Sequence, residues 1–124
     1  MNTALKQFQN QLYLNLETFR KNGESIKTPV WFVLDGEKIY IRTVNNSGKV
    51  KRIRNNEQVN IVVCENEGKP LGEWIPARAV EASDAQISNR AAQIINDKYG
   101  DLAKMFESQA RAKGLEYTII EIIP

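Results

Sequence analysis

Apolar and polar residues alternate along most of this chain with a period of two, and the alternation changes to a helical period in only three places. The N-terminal stretch 2–11 spaces Leu5, Phe8 and Leu12 as a short helix would. From Tyr13 to Phe19 the pattern becomes strand-like, with Leu14, Leu16 and Thr18 opposed to Asn15, Glu17 and Phe19. Lys21-Asn22-Gly23-Glu24-Ser25 is a turn, because Asn-Gly readily takes the backbone conformation of a tight hairpin. Ile26 to Leu34 reads as one strand of β-branched and aromatic residues, and Pro29 within it marks an edge, a bulge or a strand start. Asp35-Gly36 is a second hairpin turn, and Lys38 to Thr43 alternates well.

Beyond a loop at 44–48, Lys49 to Asn56 reads as a short basic helix, and Val59 to Cys64 as an apolar strand. A charged turn at 65–70 precedes a strand from Leu71 to Ala82, bent at Pro76. Ser83 is the expected N-cap of a helical stretch running from Asp84 to about Lys113, with Ile87, Ala91, Ile94 and Ile95 on one stripe. Gly100 is placed to divide this stretch, Gly114 ends it, and Glu116 to Ile123 forms the last strand. The order predicts a mainly β fold, a six-stranded antiparallel barrel with flanking helices, over a single domain spanning 1–124.

Composition narrows the chemistry. The chain has no histidine, which removes the commonest general base and the commonest zinc ligand. The single cysteine, Cys64, lies in an apolar run and reads as a core residue; no zinc site and no His-based hydrolase triad is expected. An enzyme built this way draws its difficult chemistry from a cofactor. Residues 1–10 lack the apolar stretch of a signal peptide, and no segment approaches the roughly 20 apolar residues of a membrane span, so the expected location is cytoplasmic. With 17 basic and 15 acidic side chains the net charge is +2, small for a nucleic-acid binder.

Charge is nevertheless concentrated at one place. Lys49, Lys51, Arg52 and Arg54 directly follow the pair Ser47-Gly48. A small-residue turn that opens a helix presents free backbone N–H groups, and these together with Lys and Arg bind phosphate. The preceding hairpin is expected to bring Thr28–Trp31 beside Arg42 and Thr43, so that a planar ring rests on the strands while a phosphate tail reaches Ser47 and Lys49. Lys51 faces differently on the helix and reads as solvated surface. By spacing alone, Trp31 and Trp74 are packing or subunit-contact residues before they are ring-stackers.

Three segments carry a family resemblance: residues 13–23, the run Thr28-Pro29-Val30-Trp31-Phe32, and the run from Ser47-Gly48-Lys49 to Asn55-Asn56, with Leu71-Gly72-Glu73-Trp74 in support. Together they resemble the flavin-binding split-barrel family related to pyridoxamine 5′-phosphate oxidase, and within it the deazaflavin-dependent subgroup. The resemblance implies a split barrel, a homodimer with two cofactors in clefts between the subunits, and hydride transfer between flavin mononucleotide (FMN) or a deazaflavin coenzyme and a small organic substrate. Carried over by position, Thr28, Pro29, Val30 and Trp31 contact the ring, Thr43 flanks it, and Ser47, Gly48 and Lys49 hold the phosphate. Arg52 and Arg54 assist the phosphate or a longer acidic tail.

Two departures qualify the resemblance. Thr28 stands where the oxidases carry an Arg, and the chain ends Glu121-Ile122-Ile123-Pro124 without their Arg-rich substrate motif, so pyridoxamine phosphate is not the expected substrate. The resemblance supplies no catalytic side chain. The alternatives are a non-catalytic carrier or sensor of flavin or haem, and, more weakly, a nucleic-acid binder.

Overall fold

The computed structural model describes residues 3–124, and Met1 and Asn2, the first residues of the expected N-terminal helix, lie outside that range. The helix itself is a 3-10 turn at Thr3–Phe8. Seven strands follow in one antiparallel sheet: β1 (Leu14–Phe19), β2 (Ser25–Val30), β3 (Val33–Asp35), β4 (Lys38–Val44), β5 (Gln58–Val63), β6 (Ile75–Glu81) and β7 (Tyr117–Ile123). Three helices interrupt them: α1 (Gly48–Asn55), α2 (Ala85–Tyr99) and α3 (Asp101–Ala112). The strand order is β2-β1-β5-β6-β7-β4-β3, and the architecture is that of a split barrel.

The inner face of the curled sheet holds the main core. Leu14 and Leu16 of β1, Ile39 and Ile41 of β4, Val59 and Ile61 of β5, and Ile120 and Ile122 of β7 are buried there. Val50 and Ile53, three positions apart on α1, close the same core, as do Leu5 and Phe8. A second, smaller core forms outside the sheet, where α2 presses Ala91 and Ile95 against Val33, Tyr40 and Ile119. The alternation in β4 thus serves two cores, Ile39 and Ile41 inward and Tyr40 outward.

The strand count differs from the expected six because the run Ile26–Leu34 is two strands. β2 pairs with β1, placing Thr28 opposite Leu16 and Pro29 opposite Asn15, whereas β3 pairs with β4 through Val33 and Tyr40. Trp31 and Phe32 lie in the gap, outside both ladders. The Asp35-Gly36 hairpin is therefore short, and Thr28 is not a ladder neighbour of Arg42. The strand expected over Leu71–Ala82 begins only at Ile75. Before it, the Gln7 side chain accepts from the Val63 N–H and donates to the Glu73 carbonyl, occupying a position where a strand would otherwise pair.

At the start of α2 the cap is Asp84, whose carboxylate accepts from the Gln86 N–H at 2.8 Å, and not Ser83. Gly100 divides the helical stretch as expected, at φ 60° and ψ −135°, a region that side chains with a Cβ rarely enter. Gly100→Ala is expected to cost about 1–3 kcal/mol, read as a lower urea midpoint at unchanged slope.

Candidate functional site

The gap at Trp31-Phe32 is held open by side chains of α2. The Tyr99 hydroxyl accepts a hydrogen bond from the Phe32 N–H at 3.0 Å and donates to the Leu12 carbonyl at 2.7 Å. The Phe32 carbonyl accepts from Lys98 Nζ at 2.7 Å, with the ammonium 4.0 Å from the centre of the Phe32 ring. Both backbone groups of Phe32 are thus satisfied by side chains, so the chain leaves the sheet without the cost of an unmade ladder. Phe32 itself is fully buried and meets Phe8 edge to face, while the Trp31 ring lies flat on Tyr99, 4.2 Å between centres and 5° between planes. Burial pushes the Tyr99 phenol up to about 12 and pulls the Lys98 ammonium down to about 8.

Because β3 covers β4 only over Lys38–Tyr40, the outer edge of β4 from Ile41 to Val44 has no ladder partner. A cleft of about 220 Å³ opens at this edge. Val30 and Trp31 form one side and Arg42 and Thr43 the other, with Ile95, Phe106 and Tyr117 as apolar walls and Lys49 at one end. Phe106 stands edge to face against Trp31 at 5.4 Å. The expected meeting of Val30 and Trp31 with Arg42 and Thr43 occurs across this gap and not along a ladder. Thr28 lies two positions back on β2, on the same side as Val30, and is partly buried; Pro29 faces the opposite way, toward Gly68.

The basic cluster divides by its hydrogen bonds. Lys49 is half-buried and donates to Thr43 Oγ1 at 2.8 Å, with no carboxylate partner among the described residues. Burial and, secondarily, the Arg52 charge hold its pKa below the ordinary lysine value. Arg52 donates through Nε to Thr18 Oγ1 at 2.6 Å and folds back over the start of α1. A Cβ at Gly48 would stand 2.9 Å from Arg52 Nη1, so a side chain there would displace the guanidinium from the start of α1. Lys51 is exposed. Arg54 turns away, bonded to Glu81, Asn46 and Asn45, and ties α1 to β6 and the preceding loop.

The N-terminus of α1 shows a vacancy in its bonding. The first helical bond runs from the Lys51 N–H to the Ser47 carbonyl, so the N–H groups of Gly48, Lys49 and Val50 have no partner within the helix. Ser47 sits at the N-cap but its side chain caps nothing, and its buried hydroxyl has no partner among the described residues. An unpartnered buried hydroxyl beside free amides and two cations is matched by an anionic oxygen donor set such as phosphate. Sequence reading missed Ile95, Phe106 and Tyr117 as walls of the cleft and Tyr99 as the support beneath Trp31, whereas it did expect Arg42 beside Trp31. The missed residues arrive from the second half of the chain, and no local spacing signals that.

The family model of pyridoxamine 5′-phosphate oxidase matches residues 1–124. The chain belongs to the pyridoxamine 5′-phosphate oxidase family. Among solved structures, the chain is similar to an F420 reductase at 20% identity, TM-score 0.63, covering 100% of this chain and 94% of that one. HutZ, the heme storage protein from Vibrio cholerae, is similar at 19% identity and TM-score 0.74, covering 98% of this chain and 87% of that one. A NimC/NimA family protein from Clostridium acetobutylicum is similar at 16% identity and TM-score 0.62, over 95% of this chain and 76% of that one. At these identities the likeness is one of fold. No curated protein matches the chain in a sequence search. No helix among the described residues is long and apolar enough to cross a membrane.

Tyr99→Phe leaves the Phe32 N–H without its acceptor and is expected to cost about 1–3 kcal/mol. The sign with pH follows from the raised phenol. Its contribution is fully present below pH 10 and is lost as pH rises toward about 12, so wild type loses stability over that interval relative to Tyr99→Phe. Urea unfolding of both proteins across the interval checks this.

Proposed function

We propose that this protein is an oxidoreductase that binds a flat, phosphate-bearing redox cofactor, FMN or a deazaflavin coenzyme, in the cleft at the edge of β4. The observation that carries the reading is the buried Ser47 hydroxyl at the start of α1, without a partner among the described residues, two positions from Lys49, which lines a ring-sized cleft. Ser47, the amides of Gly48 and Lys49, and the side chains of Lys49 and Arg52 hold the phosphate. Val30 and Trp31 on one side and Thr43 on the other flank the ring, and the free backbone edge of β4 offers it hydrogen bonds. When bound, the ring supplies hydride transfer to or from a small organic substrate. The protein supplies orientation, a desolvated wall and positive charge.

A longer acidic tail finds further support on the same side. Arg20 lies close enough to Arg52 to lower its pKa, second to burial, and lines a separate cleft with Lys21 and Asn55. This stripe of cations favours the deazaflavin coenzyme over FMN. Thr28 is carried by the resemblance alone, and Pro29 and Arg54 face elsewhere in this fold. The residues that line the cleft include no carboxylate or histidine, which leaves solvent, Lys49 or Tyr117 to deliver a proton.

The protein acts as a homodimer in this reading. Leu102, Met105 and Phe106 form an exposed apolar stripe on α3 at helical spacing, and Phe106 lines the cleft, so a second subunit on that stripe would close the site. The rival reading is a carrier, as the likeness to a heme storage protein allows; the absence of histidine removes the usual axial ligand.

Visible absorbance on titration with FMN, the deazaflavin coenzyme and hemin tests the reading. One of the first two is expected to bind at micromolar levels and to turn over with an added acceptor; binding of hemin alone would sink it. Lys49→Ala and Ser47→Ala are expected to weaken the cofactor by about tenfold or more, a loss of charge-assisted hydrogen bonds. Affinity should also fall as pH rises through the depressed Lys49 pKa, because the ammonium is the binding form, and Lys49→Arg should flatten that fall. Sedimentation velocity checks the dimer: Met105→Glu is expected to shift it toward monomer, and a wild type that is monomeric at every concentration excludes it.

A further inference from the structure

A second cleft, of about 250 Å³, lies between α2 and β7 and shares Arg42 and Tyr117 with the ring cleft. Its remaining lining is mixed: Ser88, Asn89 and Thr118 supply polar groups, and Ala92 and Ile119 apolar ones. Arg42 and Tyr117 form the partition, with the guanidinium carbon 5.1 Å from the centre of the phenol ring.

The Arg42 side of that partition is loosely partnered. The Arg42 side chain is only 10% exposed, yet its short-range partner is a neutral amide, Asn96 Oδ1 at 3.2 Å from Nη1. The nearest carboxylate, Glu107, stands 3.7 Å from the same nitrogen and makes its short bond, 2.8 Å, to Arg111. Among the described residues Nε and Nη2 of Arg42 make no hydrogen bond. A mostly buried guanidinium with one loose ion pair keeps donors free for an anion that enters the cleft. The planar fork suits a carboxylate, which accepts two parallel N–H bonds.

We propose that the α2–β7 cleft is a seat for the carboxylate of a small organic acid, with Arg42 as the residue that reads the charge and Ser88 and Asn89 as flanking polar groups. As an anion seat it stands by itself. As the seat of the redox substrate it rests on the ring-cleft reading, because only the shared Arg42–Tyr117 wall brings the two ligands together. It assigns the substrate class that the resemblance left open: a short acid whose carboxylate lies on Arg42 and whose reactive carbon projects past Tyr117 toward the ring.

The test uses the whole protein without cofactor and two probes of equal shape, butyrate and its neutral amide, butyramide, followed by backbone amide NMR. Butyrate is expected to shift resonances at Ser88, Asn89 and Ala92 saturably, and butyramide to leave them in place. Arg42→Gln should weaken butyrate by at least about tenfold and Arg42→Lys by less. Ala92→Leu, which fills the cleft away from the ring, should block butyrate while FMN or deazaflavin binding persists. Equal shifts from both probes, no shift at Ser88 and Asn89, or shifts confined to Ser47 and Lys49 would overturn the proposal. The two readings fail separately: Ser47→Ala and Lys49→Ala should weaken cofactor binding by about tenfold or more and leave butyrate binding intact.

Discussion

The fold turns on a place where a strand stops. Between Val30 and Val33 the chain leaves the sheet, and the two backbone groups of Phe32 are satisfied by the Tyr99 hydroxyl and the Lys98 ammonium. Without those side chains, a buried N–H and C=O would each carry a desolvation cost of about 1–3 kcal/mol, and continued pairing would be the cheaper arrangement. Continued pairing would cover the edge of β4 and close the barrel. The break is therefore what leaves Ile41–Val44 free and makes a cleft there. It depends on α2, a helix that begins more than fifty residues later in the chain.

The same helix supplies a second function. Tyr99 is both the acceptor for Phe32 and the flat surface on which Trp31 lies, and Ile95 one turn earlier is a wall of the cleft. Structural support and site lining are thus provided by one amphipathic face. The smaller core outside the sheet, built on Ala91, Ile95, Tyr40 and Ile119, fixes that face against β4. The cleft wall is consequently tied to packing on the outer side of the sheet, while its Lys49 end is tied to the inner core through Val50 and Ile53 of α1.

Electrostatics divide along the same line. At the α1 end, Lys49 and Arg52 are paired with threonine hydroxyls and not with carboxylates, so their charge remains available to a ligand. Arg54, two positions on, spends its charge on Glu81. Across the sheet, Arg42 keeps most of its donors while Glu107 is drawn to Arg111. The modest net charge of +2 conceals this arrangement, because what matters is which cations lack a carboxylate at short range.

The sequence by itself determined the mainly β, antiparallel character of the fold, the division of the long helical stretch at Gly100, the basic turn at Ser47–Lys49, and family membership. These are properties of short windows: period-two alternation, turn dipeptides, a glycine with a conformation others avoid, a run of cations at a helix start. Tertiary structure decided where Ile26–Leu34 divides into two strands: Pro29 signals an irregularity in the run, but the break falls at Trp31-Phe32, where the Tyr99 and Lys98 side chains satisfy the backbone. It also decided that Asp84 and not Ser83 caps α2, because both are good caps and backbone geometry chooses between neighbours. The separation of Lys49 and Arg52 from Arg54 followed from which partners lay opposite each on the folded surface. Partner choice between distant residues depends on packing that brings them together, and no local pattern encodes it.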